Sequence, residues 1–441
     1  MKFSHIADCH IGSWRDPKLR EASLDAFLMA TAKSKEELVD FILICGDLFN
    51  TSLPAIDKLK IVVKKLKELK ESDIPVYIIP GSHDFSPSGK TILDVLENAG
   101  LVINVVKGRV VENKLSLVFT EDKKTGAKIT GLLGKKGMLE KSYYEALDKE
   151  SLEQEKGFKI FMFHTALTEL KPKELEDMDS APVSLLPKGF DYYAGGHVHI
   201  IANHSLEGYT SIVYPGPLFP NNFKEIEELK HGGFYIYEDG NLTHFPIKIY
   251  NVVSLCFDCN NKTPQEIRRE LLTLLENELE IFKNELNKTI VTIRMFGLIK
   301  EGKISDINLD DIFEQMYQKG IYFIMKNTTK LTTTEFEEIK INLEKSNDIE
   351  EALIKEHIGK ARLNLKIVKA EPEITGQKEE TPTTEQERET NEHQEEINEH
   401  NEQINTIKQL MTSLDLEKME GERVVDFEQR IKDNFKKLLQ I

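Results

Sequence analysis

The sequence predicts an α/β protein: a layered domain of alternating strands and helices, a smaller α+β domain, and helices near the C-terminus. Three observations carry this expectation. Over residues 1–250, short apolar runs rich in β-branched residues alternate with amphipathic helical stretches. From about residue 251 the order changes to strand, helix, strand, helix, strand. After a strongly acidic stretch, residues 403–441 return to helical apolar spacing. A chain of 441 residues has room for two or three domains with full cores.

Taken in order, helices are expected over 19–33, 55–70 and 90–99, between strand-like runs. TSIVYPGPL, GGFYIYEDG and HFPIKIY then form a β-rich end, separated by turn signals. The following segment offers strands at 252–257, 289–295 and 321–325. Helices are expected at 264–284 and 309–318, with further helical segments to about 361. The expected division is therefore 1–250, 251–365, an acidic linker 366–402 and a helical segment 403–441.

Five of the apolar runs end abruptly in metal-ligand residues. They are FSHIADCH (Asp8, His10), FILICGDLFN (Asp47), VYIIPGSHD (Ser82, His83, Asp84), KIFMFHTA (His164) and YYAGGHVH (His197, His199). Ligands in α/β proteins bind beyond the carboxyl ends of strands, so five such ends on one sheet would gather these groups into one pocket. Two divalent ions about 4 Å apart can clamp a phosphate and activate water. Asp47 suits a position between them because a carboxylate has two oxygens. Imidazoles mixed with carboxylates favour Mn, Fe or Zn over the all-oxygen sites of Mg or Ca. His83 is a candidate general acid or phosphate donor, which Asp84 is placed to orient. A lone DxH or GD recurs by chance in solvated turns; the ordered set does not.

The order DxH, GDxF, GxHD, H, GHxH resembles the calcineurin-like metallophosphoesterase superfamily. Within it, MKFSHIADCHIG, FILICGDLF, LDVLENAGLV and IVYPGPL resemble the meiotic-recombination-eleven (SbcD-type) DNA repair nucleases, especially archaeal ones. The likeness is specific over about 1–250 and looser to about 365. It implies a β-sandwich flanked by helices, with residues 251–365 as a capping domain. It implies a first Mn2+ on Asp8, His10, Asp47 and His199, and a second on Asp47, residue 82, His164 and His197. His83 would assist the leaving group and Asp84 would orient it. The implied activity is manganese-dependent exo- and endonuclease action at DNA ends and hairpins in double-strand break repair. The implied form is a homodimer working with an SMC-like ABC ATPase of the Rad-fifty or SbcC type, in a prokaryotic cytoplasm near the nucleoid.

Two departures from the family pattern matter. The family writes GNHD where this chain has GSHD, and the Ser82 hydroxyl is shorter and a weaker donor than a carboxamide oxygen. Either the other ligands keep both metals bound, or the second metal is weakened, by nature or by substitution. Asn50 stands where relatives often carry His near the substrate phosphate. The readings left open are the nuclease, a catalytically impaired scaffold that holds DNA ends and the ATPase, and another phosphoesterase acting on small phosphodiesters, cyclic nucleotides or phosphoproteins. No GxxxxGK[ST] loop is present, so ATP would act through the partner.

Composition bounds the rest. No apolar run reaches the roughly 20 residues of a membrane span. The chain opens directly on a strand-like MKFSHIAD rather than a signal peptide. Of the four cysteines, Cys9 and Cys45 read as small buried hydrophobes; Cys256 and Cys259 have half-zinc or redox spacing but no second pair, and read as part of a strand. This usage points to a reducing, intracellular setting. The net charge of −17 is concentrated: residues 371–402 hold twelve acids against Lys378 and Arg388, which is −10 and leaves −7 for the other 409 residues. Such a stretch lacks apolar surface to offset ordering entropy and reads as a solvated linker, turning helical from about residue 394. Lysines cluster at 58–70, read as a solvated helix face, and at 123–141, where DNA contact and a solvated surface both stand. Ile61, Val62, Val63, Leu66 and Leu96 suit a dimer interface and core packing equally well. Ile404, Ile407, Leu410, Met411 and Leu414, then Val424, Phe427, Ile431, Phe435, Leu438 and Leu439, build two amphipathic helices. Docking on a partner is favoured for them over folding back, and self-association stays open.

Overall fold

The computed structural model describes residues 1–333, apart from 87–90, 136, 138 and 177, and leaves out the side chain of 174. The expected helical segments between 334 and 361, the acidic linker and the two C-terminal helices lie outside the described residues.

Two six-stranded sheets face each other. The first runs β14 (Asn241–Ile247), β13 (Gly232–Glu238), β1 (Lys2–Ile6), β2 (Phe41–Cys45), β3 (Val76–Ile79) and β4 (Ile103–Asn104). The second runs β11 (Ile201–Leu206), β12 (Tyr209–Pro215), β10 (Tyr192–Gly196), β9 (Lys159–His164), β8 (Lys128–Gly131) and β7 (Thr120–Glu121). Strands β1 to β4 are mutually parallel, as are β8, β9, β10 and β12. Parallel strands buried on both faces read as continuous apolar runs, which is why FILIC and KIFMFH announce themselves in the sequence.

Alternation along each strand sorts side chains into layers. Phe3, Phe41, Leu43, Tyr77, Ile160, Met162, Tyr192 and Val213 fill the space between the sheets. Ile6, Ile42, Ile44 and Ile78 point the other way, onto the helices Ala22–Glu36 and Ile56–Glu71. Phe161, Phe163, Tyr193 and Tyr214 form a third layer with Tyr144, Leu152 and Phe190. The expected helices at 19–33, 55–70 and 90–99 are present as Ala22–Glu36, Ile56–Glu71 and Ile92–Asn98. The result is the expected α/β sandwich flanked by helices.

A small hairpin, β5 (Gly108–Val111) and β6 (Lys114–Leu117), was not expected from sequence. Residues 251–333 add a parallel sheet of β15 (Asn251–Asp258), β16 (Thr289–Ile299) and β17 (Phe323–Thr333). It is covered by the helices Pro264–Leu279 and Leu309–Gln318, around a core that includes Leu255, Ile267, Leu271, Ile293 and Ile312. Cys259 is buried in that core and Cys256 is exposed on the same strand end, so no paired-thiol site forms there. Val62, Leu66 and Leu96 are core residues of the larger sandwich, and Val63 packs against it. Among the described residues, no helix is long and apolar enough to cross a membrane.

Candidate metal centre

All five ligand-bearing runs end at the same rim, but on two sheets rather than one. Asp8, Asp47 and the Ser82–Asp84 turn follow β1, β2 and β3 of the first sheet, while His164 and the His197–His199 loop end β9 and β10 of the second. The centre therefore bridges the open edge of the sandwich. Backbone pairing continues past the strands: Asp8 N–H donates to Gly46 O at 3.2 Å, His10 N–H to Asp47 O at 2.9 Å, and Ile11 N–H to Leu48 O at 3.1 Å.

Conformation marks this rim apart from ordinary turns. Asp8, His10, Asp47, His197 and His199 have φ of 49°, 42°, 51°, 96° and 57°. Each is a left-handed or neighbouring conformation that costs a residue with a Cβ about 1–3 kcal/mol. Close approach is secured by glycine: a Cβ at Gly46 would overlap the His164 ring, and one at Gly81 would overlap the Asp47 carboxylate.

Donor atoms converge in three overlapping groups: Asp8, His10 and His199; His10, Asp47 and His83; Asp8, Asp47 and His164, with the atoms of each group within 4.8 Å of one another. His164 donates from Nδ1 to the Cys45 carbonyl at 2.8 Å, which leaves its buried Nε2 facing Asp47 Oδ2 at 3.2 Å without an aligned hydrogen bond. His199 donates from Nδ1 to Glu225 Oε1 at 3.0 Å, and its Nε2 faces His10 Nε2 at 3.0 Å and Asp8 Oδ1 at 3.8 Å. A buried imidazole nitrogen without an aligned partner, set among carboxylates and further imidazoles, is an open position for a cation. The donor set and the unpartnered Nε2 of His164 fit divalent metal ions.

The remaining predicted residues are close by. His197 donates its backbone N–H to both Asp8 oxygens at 3.0 Å, and its ring stands edge-on to His164 at 5.1 Å. Ser82 Oγ donates to Asp47 Oδ2 at 3.4 Å, and His83 N–H donates to Asp47 Oδ1 at 2.7 Å. The His83 ring meets His10 edge-on at 4.7 Å. Asp84 takes a different part from the one expected. Its carboxylate accepts the backbone N–H groups of Leu48, Phe49 and Gly81 at 3.1, 3.1 and 3.2 Å, while His83 Nδ1 donates instead to the Asn50 carbonyl at 2.8 Å. Backbone donors from two turns, one after β2 and one after β3, are tied together by this carboxylate, so Asp84 shapes the loop that carries Asn50 to His83.

Electrostatics follow from burial in mixed company. Burial pushes His10 and His197 down to about 3, so both imidazoles are neutral and ready to bind a cation. Burial pushes Asp8 up to about 6. For Asp47 the upward push of burial is outweighed by His164 and His10, which hold it well below the usual carboxylate range. Burial would lower His164 too, but Asp47 and Asp8 reverse that and raise it to about 10. His199 is raised despite burial by Asp8 and Glu225.

Glu225, on the helix Phe223–Leu229, was missed by sequence reasoning because KEIEEL reads as a solvated acidic run. Its only cue is the helix-capping Asn222, whose Oδ1 accepts Glu225 N–H at 3.0 Å. Beside His83 opens a recess of about 370 Å³ lined by Asn50, Ser82, Phe85, Lys135 and Leu139. Lys135 Nζ donates to Tyr143 Oη at 2.6 Å and lies over the Phe85 and Tyr143 rings at 5.1 and 4.4 Å. The other lysines of that cluster are partly engaged, Lys124 with Asp40 at 3.2 Å and Lys128 with Glu155. Of the 58–70 cluster, Lys58 is buried against Glu21, and Lys65 and Lys67 pair with Glu68 and Glu71 at 2.7 and 3.7 Å.

Comparison with known proteins agrees with this geometry. Residues 1–200 match the calcineurin-like phosphoesterase family. The chain is 28% identical over 238 residues to the DNA double-strand break repair protein Mre11 of Archaeoglobus fulgidus, covering 52% of each chain. It is 30% identical over 250 residues to Mre11 of Methanopyrus kandleri, covering 54% of each. Against Mre11 of Sulfolobus acidocaldarius it is 28% identical over 352 residues, 76% of this chain and 87% of the relative. With the first two, the chain spans about half the length of the relatives it matches. Both the matched segment and the rim where its histidines and aspartates meet identify residues 1–200 as a calcineurin-like metallophosphoesterase domain.

Proposed function

We propose that the chain is a DNA phosphodiesterase acting at double-strand ends and hairpins in break repair. The observation that supports this reading best is the convergence of acceptor atoms from Asp8, His10, Asp47, His164 and His199 at one strained rim. The names of the similar archaeal proteins supply the substrate class. In this reading Asp8, His10, Asp47 and His199 hold one Mn2+, and Asp47, Ser82, His164 and His197 hold the other. When bound, the two ions supply an activated water and neutralise phosphate charge. Asp47 stands between the two ligand sets, and the carbonyl of Asn50 orients His83. The Asn50 bond takes His83 Nδ1–H, so Nε2 is the atom left to pass a proton to the departing 3′-oxygen. Lys135, fixed over two rings beside the recess, is positioned to attract the neighbouring phosphate.

The wider reading is a homodimer in a prokaryotic cytoplasm, near the nucleoid. Its 251–365 region caps the site, and residues 403–441 dock on an SMC-like ABC ATPase. A second reading, an impaired end-binding scaffold, rests on residue 82: Ser82 Oγ lies 3.4 Å from Asp47 Oδ2, and its hydroxyl is shorter and a weaker donor than the carboxamide oxygen of the family pattern.

The test is incubation of the purified chain with Mn2+ and end-labelled duplex DNA, with and without the ATPase, beside Ser82→Asn. Metal-dependent cleavage by the unaltered chain is expected. Cleavage only after Asn is introduced favours the scaffold. Cleavage of a small chromogenic phosphodiester that DNA does not compete for would remove DNA as the substrate.

A further inference from the structure

The helix Phe223–Leu229 has one side on the metal centre and the other on the 251–333 sheet. Residues two apart on a helix project about 200° from each other, so Glu225 and Glu227 leave it in opposite directions. Glu225 Oε1 accepts His199 Nδ1–H at 3.0 Å and is itself held by Asn222 Nδ2 at 2.6 Å, while its Oε2 accepts Asn221 N–H at 2.8 Å. Both oxygens are thus committed, and the carboxylate is a rigid stop for the imidazole. Glu227 forms a fork with Arg294 of β16: Nε lies 2.9 and 3.0 Å from the two oxygens, and Nη2 lies 2.6 Å from Oε2. The Arg294 guanidinium also covers the Phe223 ring at 5.2 Å. Ile226, between the two acids, is buried in the sandwich core and pins the helix.

We propose that this helix is a buttress in which Glu225 positions His199 for metal binding, and the Glu227–Arg294 clamp transmits the placement of the 251–333 sheet to that histidine. The inference rests on the divalent-metal reading above. A carboxylate on the second nitrogen of a ligating imidazole fixes its tautomer and ring orientation. His199 also sits at φ 57°, a conformation that persists only when its surroundings impose it. A planar, bidentate arginine pair fixes direction as well as distance, so it resists both sliding and rotation of the helix. Sequence patterns could not suggest the link, because its two ends are 67 residues apart.

The experiment is Mn2+ titration of the full chain, followed by electron paramagnetic resonance of the free ion, with circular dichroism as a check on folding. Glu225→Ala is expected to weaken one of two sites by about 10–100-fold and spare the other. Glu225→Gln, which keeps an oxygen able to accept from Nδ1, loses less and serves if the alanine variant misfolds. Arg294→Ala is expected to weaken the same site by about three- to tenfold. Combining it with Glu225→Ala adds less than about a further twofold, since Arg294 acts through Glu225. The exchange Glu227→Arg with Arg294→Glu restores affinity. Unchanged binding in Glu225→Ala or Arg294→Ala, or fully additive losses in the pair, overturns the buttress. Failure of the unaltered chain to bind Mn2+ overturns the metal reading instead.

Discussion

His83 and Ser82 are adjacent in sequence and face the same carboxylate, yet their substitutions should be separable. Replacing His83 by Gln removes the proton donor while sparing the backbone N–H that binds Asp47 at 2.7 Å. DNA cleavage should fall by about 10²–10⁴-fold, the usual worth of a general acid. Cleavage of bis-p-nitrophenyl phosphate, whose leaving group needs no proton, should fall far less. Equal losses on both substrates would assign His83 to metal binding instead. Another prediction concerns His5, which is buried between the sheets, with Nδ1 3.0 Å from Tyr192 Oη and Nε2 3.1 Å from Gly195 O. Burial pushes it down to about 3, so below its ordinary value of 6.5 the unfolded chain binds a proton that the folded chain refuses. Stability should therefore fall as pH drops from about 6.5 toward 3, by up to about 1.4 kcal/mol per pH unit from this one group. Asp8, raised to about 6, acts with the opposite sign between its ordinary value and 6, so the total slope is mixed. Subtraction isolates the term: urea unfolding in chelator should show a shallower acid slope for His5→Gln than for the parent.

Secondary-structure elements were legible where burial on both faces left no polar alternation to read. FILIC, KIFMFH and YYAGG are strands because of that, and their polar endings stand out as site residues. The helix Leu309–Gln318 falls where its periodicity places it. Legibility failed where tertiary contacts decide. β17 runs Phe323–Thr333, longer than the expected 321–325, because the polar KNTTKLTT is recruited by pairing with β16. The assignment of ligands to two sheets, the left-handed φ values and the use of Asp84 on backbone donors all depend on partners distant in the chain. A local rule does predict one element: Thr263 accepts Glu266 N–H, Glu266 returns the bond, and Pro264 opens the helix Pro264–Leu279. Thr263→Ala should cost about 1 kcal/mol, against about 3 kcal/mol for Leu271→Ala in the core of the same helix. Denaturant midpoints would check the order, and a cap worth more than the core leucine would contradict it.

At the scale of the molecule, the question is whether residues 251–333 are a separable body. They have their own core, but Ile290 belongs to the core of the larger sandwich, and Val252, Tyr322, Phe323 and Met325 pack against it. Tyr250 stacks on Tyr322 at 4.7 Å and meets Phe219 at 6.2 Å. Lys18 Nζ donates to the Tyr322 carbonyl at 2.8 Å and lies over the Tyr317 ring at 4.3 Å. With the Glu227–Arg294 fork, this seam joins the sandwich to the smaller sheet. Fully uncovering a large apolar side chain costs about 1.5–3 kcal/mol, so five or six of them, most only partly buried at this seam, together cost several kcal/mol to separate. Residues 1–333 should therefore unfold in one calorimetric transition, and a 1–250 fragment should melt lower and bind a hydrophobic dye. Two resolved transitions, with 1–250 keeping its full melting temperature, would make the smaller sheet an independent appendage. A merged transition would mean that displacement of residues 251–333 is resisted by apolar packing over the whole seam, leaving the short helix Phe223–Leu229 as the part of that seam which also reaches a candidate ligand.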